Sequence, residues 1–252
     1  MEKIAVIGFE NKTEISERYN SKAAVDFDVD CTSRALNFSY SAVFIKSGAE
    51  DCVIRAWLTN EHLRIVGDTE ALFAEIDFFL GIPEPLEIER KFLVEKPDES
   101  KLLEYKFCGC VNIAQAYINK NGERYRVRKR GADGDFIYIK TEKIKITEMK
   151  RIEKESRISE AEYLESIKGE KVLYKNRYLI IYGEKCFELD MFPFWSDKAL
   201  LEIELKSETE SFAIPPFLKV LKEVTQDKTY RNSVLSQIYL SLIHISEPTR
   251  PY

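Results

Sequence analysis

Leu86-Glu87-Ile88-Glu89-Arg90-Lys91 decides how the rest of the chain is read. In an extended strand, side chains two apart share a face, so Glu87, Glu89 and Lys91 line up together, with Leu86 and Ile88 opposite. Leu201-Glu202-Ile203-Glu204-Leu205 repeats the arrangement. Arg124, Arg126 and Arg128 share a face around Tyr125 and Val127. Arg151, Glu153 and Glu155 share another, and Glu188 and Asp190 alternate with Phe187 and Leu189. An antiparallel sheet with one solvated face also alternates, and for a single strand that is the ordinary explanation. The choice of residues argues for more, because solvated strand faces usually include Thr, Ser and Gln, whereas these repeat carboxylates in pairs and arginines in pairs. Like charges so placed repel unless something of opposite sign lies between them. A divalent cation would relieve the carboxylates, and a polyphosphate would relieve the arginines.

Outward from these motifs, extended segments dominate: 86–94, 111–118, 124–129, 136–141, 150–158, 177–182, 185–190 and 200–206. Asn121-Gly122 and Asp133-Gly134 are tight hairpin turns between them. Helices are expected over 101–107 and 160–168, with Ser100 and Ser159 as caps, and over 217–224, where Leu218, Leu221 and Lys222 recur at helical spacing. Upstream, Gly81-Ile82-Pro83-Glu84-Pro85 is a short stiff linker, since each proline fixes its own backbone and biases the residue before it. It divides an amino-terminal α/β segment, 1–83, from a strand-rich domain, 84–239. The first segment has strands at Ile4–Ile7, Ala42–Ile45 and Leu63–Val66. It also has a helix over Thr69–Leu80, capped by Asp68 or Thr69 and closed by Gly81. The last stretch, Leu240 to Tyr252 (LSLIHISEPTRPY), resembles a translated sequencing adapter and is expected to be a non-structural scar, which leaves His244 without meaning.

With 44% hydrophobic and 32% charged residues in 252, and only 10 Gly and 8 Pro, the chain is expected to fold as a globular protein. No run of about eighteen apolar residues could span a bilayer, and Met1 to Phe9 lacks the features of a signal peptide, so a cytoplasmic location is expected. A formal charge of -5 gives no general attraction to nucleic acid or anionic membrane, so affinity for polyanions must come from locally arranged cations. Arg124 to Arg130 (RYRVRKR) lacks a stacking platform beyond Tyr125, and no nucleic-acid partner is expected. Five cysteines, Cys31, Cys52, Cys108, Cys110 and Cys186, form an odd set without zinc spacing and are read as reduced thiols, with Cys108 and Cys110 near a turn. His62 has no serine or cysteine context for a nucleophilic triad.

Glu87-Ile88-Glu89-Arg90-Lys91 resembles the opening E-x-E-x-K signature of the CYTH domain, the triphosphate tunnel metalloenzymes. The resemblance continues in order through Gln115-Ala116-Tyr117, Arg126-Val127-Arg128, Lys140, Arg151-x-Glu153-x-Glu155, Lys175-Asn176-Arg177, Asp190, Glu202-Ile203-Glu204 and Asp227-Lys228-x-Tyr230-x-Asn232. It implies an α+β fold built on an eight-stranded antiparallel barrel open as a tunnel, with flanking helices and charged side chains pointing inward.

By the same resemblance, Lys91, Arg126, Arg128, Lys140, Arg177 and Lys228 hold a small-molecule triphosphate. Glu87, Glu89, Asp190, Glu202 and Glu204 hold Mg²⁺ or Mn²⁺, and Glu153 and Glu155 join them or orient the cations. Lys91, Arg128 and Glu204 are the catalytic candidates for water attack on a terminal phosphorus, with Tyr117 fixing Lys91 or the substrate. Inorganic triphosphate is the favoured substrate. Thiamine triphosphatase or adenylyl cyclase activity, and a non-catalytic polyphosphate- or nucleotide-binding module, are the alternatives. The segment Ala56 to Val66 with the helix and linker after it resembles the end of an AAA-type ATPase domain. No G-x-x-x-x-G-K-[ST] stretch occurs, so no ATPase activity is expected and Trp57 and His62 are read as packing residues.

Overall fold

The computed structural model of the chain describes residues 2–19, 25–29, 39–49, 62–80, 88–103, 108–120, 123–145, 151–183, 185–205, 207 and 209–243. The linker 81–87, the Asn121-Gly122 turn, Trp57, Cys31 and Cys52 lie outside these residues.

The amino-terminal unit is a four-stranded parallel sheet of β1 (Glu2–Ile7), β2 (Val25–Asp28), β3 (Ala42–Lys46) and β4 (His62–Val66), in the order β2-β1-β3-β4. Strands of parallel sheets are covered on both faces and read as continuous apolar runs, as Ile4 to Ile7 and Ala42 to Ile45 do here, all buried. On one face lie α1 (Lys12–Tyr19) and α2 (Thr69–Phe79), whose Ile15, Tyr19, Leu72 and Ile76 pack on Ile4, Val6, Phe44 and Val66. The Asp68 carboxylate accepts the Ala71 N–H at 2.8 Å and caps α2. The other face, with Ala5, Ile7, Val43, Ile45 and Leu63, packs directly on Val111, Ile113 and Leu179 of the second sheet.

That second sheet is antiparallel throughout. Its strands are β5 (Ile88–Glu95), β6 (Cys108–Lys120), β7 (Glu123–Ala132), β8 (Asp135–Lys145), β9 (Arg151–Arg157), β10 (Val172–Tyr182), β11 (Lys185–Met191), β12 (Lys198–Leu205) and β13 (Val220–Glu223). They run in the order β13-β5-β12-β11-β10-β6-β7-β8-β9. The expected eight-stranded closed barrel is therefore corrected in two respects. The sheet has nine strands, and among the described residues its edge strands β9 and β13 do not pair. The extra strand stands where a helix was expected over 217–224. After Pro215-Pro216 the chain docks on the free edge of β5, where Glu95 N–H donates to Lys219 O at 2.9 Å and Val224 N–H donates to Lys91 O at 2.8 Å. An edge partner decides in favour of extended backbone over a short helical pattern. Cys108 and Cys110 open strand β6 rather than sitting at a turn, and Cys108, Cys110 and Cys186 are free thiols.

The helices are α3 (Glu99–Leu103), α4 (Glu160–Ser166), α5 (Asn232–Ile243) and a 3₁₀ turn, Lys228–Tyr230. α3 starts two residues earlier than expected, because Asp98 rather than Ser100 supplies the capping oxygen, accepting the Ser100 N–H at 3.0 Å. α4 carries a full capping box between Ser159 and Glu162. α5 continues through Leu240 to Ile243, so the expected boundary at 240 is not a break in the helix. Among the described residues no helix is long and apolar enough to cross a membrane.

The sheet is strongly curled, and β4 shows by how much. His62 and Arg64, two residues apart on one side of β4, touch Glu155 on β9 and Glu204 on β12. Two residues advance a strand by about 7 Å, whereas six interstrand steps from β12 to β9 would span about 29 Å if the sheet were flat. The side of the sheet that bears these carboxylates is therefore concave, with the amino-terminal unit packed against it at Val111, Ile113 and Leu179.

Gly131, next to the arginine strand face, is needed for space. A Cβ there would lie 1.9 Å from the Asp135 carbonyl oxygen and 2.8 Å from Phe136 Cα, both backbone across the hairpin that Asp133 (φ 54°) and Gly134 (φ 93°) turn. Gly131→Ala is expected to cost about 3 kcal/mol, seen as a lower urea midpoint at unchanged m-value.

Candidate active site: a charged concave face

Register and alternation together fix which side chains share the concave face. Arg177 pairs with Asp190 and Val111, Gln115 with Arg128, Arg126 with Thr141, Thr141 with Glu155, and Glu202 with Glu188 and Lys91. Glu89, Lys91, Glu188, Asp190, Glu202, Glu204, Lys175, Arg177, Gln115, Tyr117, Arg126, Arg128, Thr141 and Glu155 thus stand on one face. The opposite face buries Phe92, Val94, Phe187, Leu189, Leu201 and Ile203 in an apolar cluster.

Arg177 is the centre of the arrangement. Its Nε and Nη2 donate to the two oxygens of Asp190 at 2.6 and 2.7 Å, Nη2 also donates to Glu202 at 2.9 Å, and Nη1 pairs with Glu188. Lys175, fully buried, shares Asp190. A planar guanidinium satisfies several carboxylates at once, which a point charge cannot do. Burial works against charge on Arg177, but Asp190, Glu188 and Glu202 outweigh it and hold it firmly protonated. Lys175 goes the other way, since burial and the neighbouring Arg177 bring it down to about 8.

Lys91 Nζ lies 2.7 Å from Glu202 Oε1 and 3.3 Å from Glu89 Oε1. Burial opposes its charge, and Glu202 and Glu89 more than restore it, raising the group above its ordinary range. Burial likewise opposes the Glu202 anion, yet Lys91, Arg177 and Lys175 hold that carboxyl below the usual range. Glu89 bears the remainder of the crowding. Burial, then the Glu202 charge, push it up to about 8, although its side chain is 44% exposed and solvent screens part of the effect.

On the other wall, Arg126 Nη2 donates to Glu155 Oε1 at 3.1 Å and to Thr141 Oγ1 at 3.0 Å. Arg128 is buried beside it. Burial disfavours charge on Glu155, but His62, Arg126 and Arg128 overcome this and keep it ionised. Tyr117 ties the two walls together. Burial raises its hydroxyl, and it feels the charges of Arg126, Arg128, Glu202 and Lys91 from β7, β12 and β5. Its oxygen accepts from Gln115 Nε2 at 3.0 Å.

Most sequence-predicted residues meet here: Lys91, Arg126, Arg128, Arg177, Glu89, Asp190 and Glu202. Glu204 is on the same face but is paired with Arg64. Glu87 lies outside the described residues, as do the side chains of Arg151 and Glu153. Lys140 is placed elsewhere. The two-residue turn at Asp133-Gly134 sets Lys140 opposite Val127 and Thr141 opposite Arg126, so Lys140 is on the convex side, over the Tyr125 ring and 2.8 Å from Glu142. Lys228 is exposed in the 3₁₀ turn. His62, read as a packing residue, also makes a polar contact, with Nε2 at 3.3 Å from Glu155. Lys175 and Thr141 were not expected at the site, and face parity with Arg177 and Arg126 was the available signal.

The donor set suits a divalent ion in kind. Glu89 and Glu202 are neighbouring carboxyls, and burial followed by the Glu202 charge disfavours ionisation of Glu89, which a divalent ion between them would reverse. Among the described residues, however, no three acidic, histidine or cysteine side chains converge as a ready ion site.

The sequence pattern described as the CYTH domain matches residues 85–232. A comparison with curated proteins finds no match. Among solved structures, the inorganic triphosphatase NE1496 is 30% identical over 60% of this chain and 93% of its own, with a TM-score of 0.41. PH1819 from Pyrococcus horikoshii OT3 is 21% identical over 48% of this chain and 80% of its own, with a TM-score of 0.35. HpAC1 from Hippeastrum, described with a dominant triphosphatase activity, is 13% identical over the same shares, with a TM-score of 0.30. Since the matching pattern spans more than half of the 252 residues and covers the strands that build the charged face, the chain belongs to the CYTH domain family.

Proposed function

We propose that the protein is a divalent-metal-dependent triphosphatase acting on inorganic triphosphate. The observation that carries this reading is the convergence of Lys91, Arg126, Arg128 and Arg177 with Glu89, Asp190 and Glu202 on one concave face. Membership of the CYTH domain family and 30% identity to the inorganic triphosphatase NE1496 over 60% of this chain support it.

Arg126 and Arg128, about 7 Å apart along β7, offer forked donors to successive phosphoryl groups. Lys91, held protonated, adds a compact positive charge from the opposite wall. Arg177 is fixed by three carboxylates and so presents its charge without reorganisation when negative charge shifts to the leaving pyrophosphate. A divalent cation at Glu89 and Glu202, with Asp190 and Glu204 further along the face, would supply Lewis-acid neutralisation of the phosphoryl oxygens. Water attack on the terminal phosphorus then needs no covalent intermediate on the protein.

A panel of inorganic triphosphate, thiamine triphosphate and ATP, each with Mg²⁺ and with Mn²⁺, tests the proposal through phosphate release. Inorganic triphosphate is expected to turn over at least tenfold faster than the others, chelation to stop the reaction, and Arg126→Ala to lower the rate by about 10²-fold. Tight triphosphate binding with no release of phosphate would identify a binding module instead.

A further inference from the structure

Arg64 belongs to β4 of the amino-terminal unit, yet its guanidinium reaches the charged face. It pairs with Glu204 on β12, stands 3.8 Å from Glu75 of α2, and donates from Nη1 to the Leu63 carbonyl at 3.0 Å. The strand that carries it is firmly seated, because Leu63 is buried against Val111, Ile113 and Leu179. A packed strand, not a loose chain, therefore delivers this cation. The pair is open to solvent, with Arg64 32% and Glu204 56% exposed, so small ions reach it and its contribution to folding is slight.

Resting on the reading of the acidic face as an ion site, we infer that Arg64 is a positioning residue that holds Glu204 away from a divalent ion, which must displace the guanidinium to use that carboxylate. Glu202 and Glu89 are neutralised by Lys91 of their own sheet, whereas the partner of Glu204 comes from a different unit of the fold. A carboxylate cannot give its best lone pairs to a guanidinium and a metal ion at once, and a fixed positive charge nearby disfavours a second cation.

The test is Mn²⁺ binding to the full chain without substrate, followed by the electron paramagnetic resonance signal of free Mn²⁺. Arg64→Gln is expected to bind Mn²⁺ about tenfold tighter than wild type, with an unchanged thermal midpoint. Arg64→Lys, which keeps a cation, is expected to stay near wild type, and adding Glu204→Gln to Arg64→Gln is expected to abolish the gain. Equal or weaker binding by Arg64→Gln, equal gains in the Lys and Gln variants, a gain that survives loss of Glu204, or no Mn²⁺ binding by any variant would each overturn the inference. Hydrolysis is measured separately. Ion competition without turnover supports the role of Arg64 and removes only the triphosphatase reading, while turnover without competition removes only the role of Arg64.

Discussion

Arg177→Ala is expected to lower triphosphate hydrolysis by about 10²- to 10³-fold and to destabilise the fold by about 3–5 kcal/mol. Both effects have one cause. The guanidinium is shared among Asp190, Glu202 and Glu188, and removing it leaves three neighbouring carboxylates with Lys175 and Lys91 as the remaining cations. Arg177→Lys is expected to recover little, because a single ammonium cannot make the bidentate contact to Asp190 and reach Glu202 as well. Urea unfolding and steady-state phosphate release measure the two losses. A variant with wild-type stability would show that the ion-pair network is not the keystone of the concave face.

The second large effect concerns Asp190, which is fully buried between Lys175 and Arg177. Asp190→Ala is expected to cost about 3–5 kcal/mol, because it strands the Lys175 charge in the interior. Replacing Lys175 as well, Lys175→Met with Asp190→Leu, is expected to restore part of that stability, since the buried ammonium is gone and Arg177, though it loses its bidentate contact to Asp190, keeps Glu202 and Glu188. The double variant is expected to remain without turnover. Stability returning without activity separates the structural task of the pair from its chemical one, and a double variant as unstable as Asp190→Ala would contradict this account.

Much of this was legible from local pattern. The alternation through Glu89-Arg90-Lys91 and Glu202-Ile203-Glu204 placed acids and bases on one face, and Asp68, Ser159 and Asp133-Gly134 announced a cap, a capping box and a turn through chemistry confined to a few residues. What stayed hidden depends on partners distant in sequence. Val220–Glu223 is a strand only because β5 offers it an edge, and its own spacing suits a helix equally well. Lys140 was assigned inward because the family motif names it, although the two-residue turn already sets the parity that puts it outside. Arg64 carries no motif, and its place at the concave face follows from how one sheet packs on another.

That packing has a consequence for how the molecule can be divided. Val111, Ile113 and Leu179 are among the least exposed residues of the second sheet, but what covers them is the side of the amino-terminal sheet bearing Ala5, Val43 and Ile45. A polypeptide cut at the prolines near 83–85 would carry every strand of the family pattern and yet present this oily seam to water, inviting self-association. The apolar contact thus runs across the border drawn by sequence motifs, and the two portions are expected to unfold in a single urea transition.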